Sequence, residues 1–177
     1  MKTESPLLSP AFRIASIAIL TAVTTVFTLF VRIPSPARGY FSLCDVAIAF
    51  AAFTFGPVSA LIAGGLGAAF ADLIGSYAQW APVSLVVHGL QGLVIGLIAR
   101  ARPGNLPVAI LAGVAGTAVM VVGYAAGGAL LTGIGPALAE APGNLVQSAA
   151  GVILGIPLSL AVARAYPPVR TYTWEKP

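Results

Sequence analysis

Six apolar stretches, at residues 12–32, 40–56, 58–76, 81–100, 107–131 and 142–166, fill nearly all of this 177-residue chain. Crossing a hydrocarbon core of roughly 30 Å takes ~20 residues at ~1.5 Å of rise each, and slightly fewer where polar ends reach the headgroups. Little chain is left for a soluble domain, so the sequence reads as one integral-membrane domain over 1–177. Lipid offers no partner to backbone N–H and C=O groups, and the segments lack the alternation of barrel strands, so the spans must be helices. The expected fold is therefore an all-α membrane protein, a compact bundle of six transmembrane helices. The first run is too long for a signal-peptide core and lacks a cleavage site, so it counts as a helix.

Only 8% of residues are charged and 58% are apolar, against about a quarter charged in soluble domains. The loops are short enough for their cations to set orientation. Lys2, Arg13, Arg100, Arg102, Arg164, Arg170 and Lys176 fall on one side and Arg32 and Arg38 on the other, which places both termini in the cytoplasm. The net charge of +4 is spread along the chain rather than clustered, which argues against nucleic acid. Pro34-Ser-Pro36, Gly56-Pro57, Pro103-Gly104, Gly133 to Pro136, Pro142-Gly143 and Pro167-Pro168 punctuate the spans. Gly56-Pro57 reads as a tight inner turn, although the sequence there also allows one long kinked unit.

Polar side chains concentrate at one depth. Trp80, Ser84, His88 and Gln91 share a face of the fourth span, with His88 about 9 Å and Gln91 about 14 Å below Pro82. Asn144, Gln147, Ser148 and Gly151 share a face of the sixth span, and Tyr124 lies in the outer part of the fifth. Asp45, Asp72, Tyr40 and Tyr77 fall near the outer ends of their segments. Polar groups facing lipid are costly, so these faces should turn to a shared outward-facing cavity. The residues expected to bind substrate there are Trp80, Ser84, His88, Gln91, Tyr124, Asn144, Gln147, Tyr40, Asp45, Asp72 and Tyr77.

Each of them also has a structural reading. His88, Gln91, Asn144 and Gln147 can be interhelical hydrogen-bonding glue. Asp45 can cap a helix or pair with Arg32 or Arg38, and Asp72 can be a solvated interfacial carboxylate. Trp80 and Tyr77 suit an interfacial aromatic belt. Glu140 reads as a loop charge able to swing over a site.

Ala11, Ala15, Ala18 and Ala22 form a smooth stripe on the first span, the best candidate for docking a partner. The small-residue patterns Ala60/Gly64/Gly67/Ala71, Gly92/Gly96, Gly123/Gly127 and Gly151/Gly155 read mainly as internal packing.

Several chemistries lack their sequence signature. No GxxxxGK[ST] loop is present for ATP. HExxH and GxSxG are missing, no His, Cys and carboxylate cluster has metal-ligand spacing, and Cys44 is the only cysteine. No catalytic residue, metal or cofactor is therefore expected, and the chain is not expected to be an enzyme.

The segments Gly39-Tyr-Phe-Ser-Leu-Cys-Asp-Val-Ala-Ile48, Phe55-Gly-Pro-Val-Ser-Ala-Leu-Ile-Ala-Gly-Gly-Leu-Gly-Ala-Ala-Phe-Ala-Asp72 and Tyr77-Ala-Gln-Trp-Ala-Pro82 resemble substrate-binding S components of energy-coupling factor (ECF) vitamin transporters. They are most similar to the group for riboflavin, hydroxymethylpyrimidine and related precursors. His88-Gly-Leu-Gln-Gly92 resembles that group's Lys-Gly-x-x-Gly segment, and Asn144-Leu-Val-Gln147 with Gly151 and Ile156-Pro157 resembles its last helix. The likeness covers 12–165 and implies capture of a vitamin, with energy supplied by a transmembrane coupling subunit and two ATPases. ATP would be bound by those partners only. The Ala11/Ala15 and Ala18/Ala22 pairs match the family's docking pattern. Ser42 and Cys44 stand where the family often has Asn and Gly, and His88 where Lys is common; an imidazole suits a neutral heteroaromatic ring as well as an anion. The competing readings are a solitary membrane transporter, an intramembrane enzyme using His88, and a purely structural membrane protein.

Overall fold

Proline and capping residues cut the apolar sequence into helices where the backbone has no donor to lose. The computed structural model describes residues 9–36 and 38–169. Its helices are α1 (Pro10–Phe30), α2 (Cys44–Phe55), α3 (Pro57–Ile74), α4 (Ala81–Ala99), α5 (Leu106–Thr132) and α6 (Ile134–Ala165), followed by a 3-10 turn at Pro167–Val169. Ser9 Oγ accepts from the Phe12 N–H at 3.2 Å and Asn105 Oδ1 from the Val108 N–H at 3.1 Å, capping α1 and α5. Proline sits in the first two positions of α1, α3, α4 and α5, whose N–H groups would have had no intrahelical acceptor. Lys2, Arg170 and Lys176, used above for orientation, lie outside the described residues.

Five of the helices are long and apolar enough to cross a membrane. The exception is α2, whose 12 residues rise only about 18 Å. Residues 40–43, expected to open the second span, are not helical. Tyr40–Phe41 (β2) instead pairs antiparallel with Ile33–Pro34 (β1), in a hairpin that satisfies backbone groups between α1 and α2. Every α2 residue except Phe50 and Phe55 is buried. Protein rather than lipid therefore surrounds it, and bilayer thickness does not dictate its length. Gly56, at φ 86°, separates α2 from α3 and removes the alternative of one long kinked helix.

A second correction falls at the last span. The outer loop expected over 133–143 is absent, and α6 begins at Ile134. Gly133, at φ 94°, makes the reversal by itself. Pro136 occupies the first turn, where its missing N–H costs nothing, while Pro142 inside the helix forfeits one intrahelical bond. Glu140 is thus a buried helical residue and not a loop charge.

The glycines and alanines inside the bundle are contact points. A Cβ on Gly92 would lie 2.7 Å from the Ala60 carbonyl oxygen, one on Gly96 2.5 Å from Pro57 Cα, and one on Gly155 2.6 Å from Ala49 Cβ. On Gly123 and Gly127 it would meet Val87 and Val83 at 2.7 and 2.6 Å. The helices thus touch through their backbones, as small residues permit in membranes. Thr21, Thr24 and Thr28, buried on α1, return their hydroxyl protons to the carbonyls of Ile17, Leu20 and Thr24 at 2.7–2.9 Å. Thr25 adds a bond to the Gly67 carbonyl at 3.0 Å. A Cβ at Gly67 would approach Thr24 Cβ to 2.5 Å, so Gly67→Leu should wedge α1 from α3 and cost about 1–3 kcal/mol. Thermal unfolding of the purified protein checks this, and an unchanged midpoint would show that α1 yields freely.

Candidate ligand-binding site

The hairpin end of the bundle encloses a cavity between α1, β2, α2, α3, α4, α5 and α6. Its lining contains eight of the residues singled out above: Tyr40, Asp72, Trp80, Ser84, His88, Tyr124, Asn144 and Gln147. They come from β2, four helices and the residue just before α4, Trp80; the spacings of 80, 84 and 88 across the start of α4 and of 144 and 147 on α6 aim each set inward. One wall is aromatic. The Tyr124 ring lies 6.0 Å from Trp80 and 5.3 Å from His88, and its hydroxyl shares a 2.6 Å hydrogen bond with Ser84 Oγ. The Tyr40 hydroxyl donates to Asp72 Oδ1 at 2.6 Å.

Three of the expected residues do not face the cavity. Tyr77 packs edge-on against Tyr40 at 4.7 Å, and the Arg32 guanidinium lies over both rings at 6.0 and 5.1 Å. Gln91 and Asp45 stand behind the wall and organise it. Gln91 Nε2 donates to Asp45 Oδ1 at 2.5 Å and to Ser148 Oγ at 2.9 Å, and Gln147 Nε2 donates to Asp45 Oδ2 at 2.6 Å. Gln147 Oε1 accepts from the Ser42 N–H at 2.6 Å. Because a carboxylate only accepts, Asp45 fixes which end of each amide faces it. The Gln91 oxygen is then left for His88 Nδ1, 2.8 Å away, so Nδ1 carries a proton and donates. The other ring nitrogen, Nε2, points to Cys44 Sγ at 3.6 Å. Asp45 therefore neither caps α2 nor pairs with Arg32 or Arg38; two amides and the Cys44 thiol supply its partners.

Three deeply buried polar atoms around this cavity have no hydrogen-bond partner: Asp72 Oδ2, Trp80 Nε1 and Asn144 Nδ2. Each belongs to a residue 3–5% exposed, and each is a lining residue. Leaving a buried donor or acceptor unsatisfied costs about 1–3 kcal/mol, so three in one place require explanation. They present two donors and one acceptor to whatever enters. The open space among the side chains is about 30 Å³, enough for one or two waters. A heteroaromatic ring therefore requires the walls to part.

Several lining residues were not among those expected to bind substrate. Glu140 faces the cavity and is hydrogen-bonded to Ser35 Oγ, which also accepts from the Gly39 N–H at 3.1 Å. A helical signal for it was present, since 140, 144, 147 and 151 fall on one face, but the prolines around it read as a loop. Ser42, Cys44, Thr28 and Met120 also line the space. Their faces became legible only once β2, α1 and α5 were placed.

A sequence profile described as "ECF-type riboflavin transporter, S component" matches residues 11–164. The chain belongs to this family. Among its relatives, the thiamine precursor transporter HmpT of Lactococcus lactis subsp. cremoris is 35% identical over 154 residues, 86% of this chain and 88% of that protein. An uncharacterised Pyrococcus woesei protein is 38% identical over 146 residues, 82% of this chain and 97% of its own length. This S component is accordingly a multi-pass cell-membrane protein of a transporter family rather than of an enzyme family. The match runs from α1 through nearly all of α6, so it covers every element that builds the cavity.

Proposed function

We propose that this S component captures a small heteroaromatic vitamin or vitamin precursor, of the riboflavin, hydroxymethylpyrimidine/thiamine or pyridoxine class, and delivers it across the membrane within an ECF-type importer. A transmembrane coupling subunit and two ATPases provide the energy. Both termini are cytoplasmic, by the distribution of Lys and Arg, so the cavity opens outward, and α2 serves as the sixth transmembrane element although it is short. The observation that carries this reading is the trio of unsatisfied buried groups beside an aromatic wall. Ring nitrogens or carbonyls of the ligand accept from Trp80 Nε1 and Asn144 Nδ2, and an amino, imide or hydroxyl group donates to Asp72 Oδ2. The ring itself stacks among Trp80, Tyr124 and His88.

A thermal-shift screen against vitamins and their precursors tests the proposal. A true ligand at about 100 times its Kd stabilises the folded state by about 2.7 kcal/mol. Failure of every compound in these classes to shift the transition overturns it, and purification of a stable complex with a coupling subunit and ATPases separates an importer from a solitary transporter. Asn144→Ala should weaken binding by about 1–3 kcal/mol without destabilising the unliganded protein, because the deleted amide nitrogen has no protein partner to lose. Equal affinity in the variant would make Asn144 helix glue only.

A further inference from the structure

Cys44 and His88, which line the cavity, meet Asp45 just behind its wall, with one potential ligand atom from each residue of α2 and α4 lying within 4.8 Å of the others. We propose that they form a site for a thiophilic divalent transition ion of the Zn²⁺ class. Cys44 Sγ is 3.3 Å from Asp45 Oδ2 and 3.6 Å from His88 Nε2. Tetrahedral zinc, with bonds of ~2.3 Å to sulfur and ~2.0–2.2 Å to nitrogen and oxygen, separates its sulfur ligand from the others by about 3.5 Å. Both measured separations bracket that value, and only the carboxylate and imidazole must draw closer.

The surroundings supply what a ligated histidine and carboxylate need. His88 Nδ1–H donates to Gln91 Oε1 at 2.8 Å, which leaves Nε2, the atom facing Cys44, with a free lone pair. Gln91 and Gln147 hold the two Asp45 oxygens at 2.5 and 2.6 Å. Charge also favours the ion. Asp45 is 2% exposed and accepts only from two amides and a thiol, so no cationic side chain competes with a metal for its oxygens. On binding, the metal replaces the thiol proton, which leaves to water, and the M²⁺, thiolate and carboxylate together are neutral. Cys44 and His88 also line the cavity. The fourth coordination position therefore faces the space where a ligand enters, open to water or to a nitrogen of that ligand.

Chain composition makes the test unusually clean, because Cys44 is the only cysteine and His88 the only histidine in the sequence. Tag-free purified full-length protein is loaded with Co²⁺ in the absence of any organic ligand, desalted, and measured for bound metal and absorbance. The expected result is one retained Co²⁺ per chain with a near-ultraviolet thiolate-to-cobalt charge-transfer band, which only Cys44 can produce. Cys44→Ser should abolish the band, and Gln91→Ala should weaken retention by about 10–100-fold through loss of the His88 acceptor. Should Cys44→Ser fail to fold, the wild-type band alone decides. Absence of stoichiometric cobalt in the wild type, or retention without a charge-transfer band, overturns the proposal and makes the trio a plain hydrogen-bonded cluster. The site does not depend on the vitamin reading, and thermal shifts by vitamins leave the cobalt result untouched.

Discussion

Gly151→Val should reduce ligand affinity by at least about 100-fold, the loss of two or more buried hydrogen bonds at ~1.4 kcal/mol per tenfold. A Cβ at 151 would lie 2.3 Å from Asp45 Cβ and 2.7 Å from its carbonyl carbon. No rotamer relieves a clash between Cβ atoms, so α6 has to move away from α2. Gln147 sits one turn and Asn144 two turns above Gly151 on the same face, and both line the cavity. Displacement lengthens the 2.6 Å bond from Gln147 to Asp45. That loosens the carboxylate, which orients Gln91 and through it His88. A substitution that touches no ligand atom thus disturbs three lining residues together. Gly135→Val is the matched control, because a Cβ there meets nothing within 4 Å. Isothermal titration of both variants with a compound identified by thermal shift decides the matter. Wild-type affinity in Gly151→Val would mean that the α2–α6 contact does not hold the site.

Much of this arrangement could be read from the sequence because membranes punish exceptions. An amide or imidazole in an apolar span must turn inward, and helical spacing then says which residues turn together; Trp80, Ser84 and His88 at the start of α4 followed from that logic alone. The depth argument could not rank residues within the buried set. Gln91 lies on the same face as His88, yet only three-dimensional placement shows that Asp45 and Ser148 occupy its amide group and keep it behind the wall. The same limit hid the approach of Cys44 and Asp45 to His88, which are far apart in sequence and joined by packing between α2 and α4. Errors arose where proline was read as a stop. Pro136 and Pro142 both sit inside α6, since the first turn has no donor to lose and a single missing interior bond is tolerable when neighbouring helices supply the packing. That misreading also put Glu140 in a loop rather than on α6.

The stripe on α1 leads to the other large effect, the separation of binding from transport. Ala11, Ala15, Ala18 and Ala22 are all exposed, whereas Leu20, Thr21, Thr24 and Thr28 are buried on the side toward α3. The centres of the two sets lie roughly 135° apart around a helix with 3.6 residues per turn. No bulky side chain interrupts the stripe, so another helix can approach its backbone closely, which is the contact a membrane partner requires in the absence of a hydrophobic drive between helices. Ala15→Trp combined with Ala18→Trp therefore fills a surface and not the core. Ligand affinity and the unfolding midpoint of the isolated protein should stay near wild type, while assembly with the coupling subunit and uptake fall to background. Measuring affinity and complex formation on the same preparation separates the two functions. Loss of ligand binding and stability together would show that the stripe packs against this chain itself. Uptake at the wild-type rate in a folded double variant would place the docking surface on another helix.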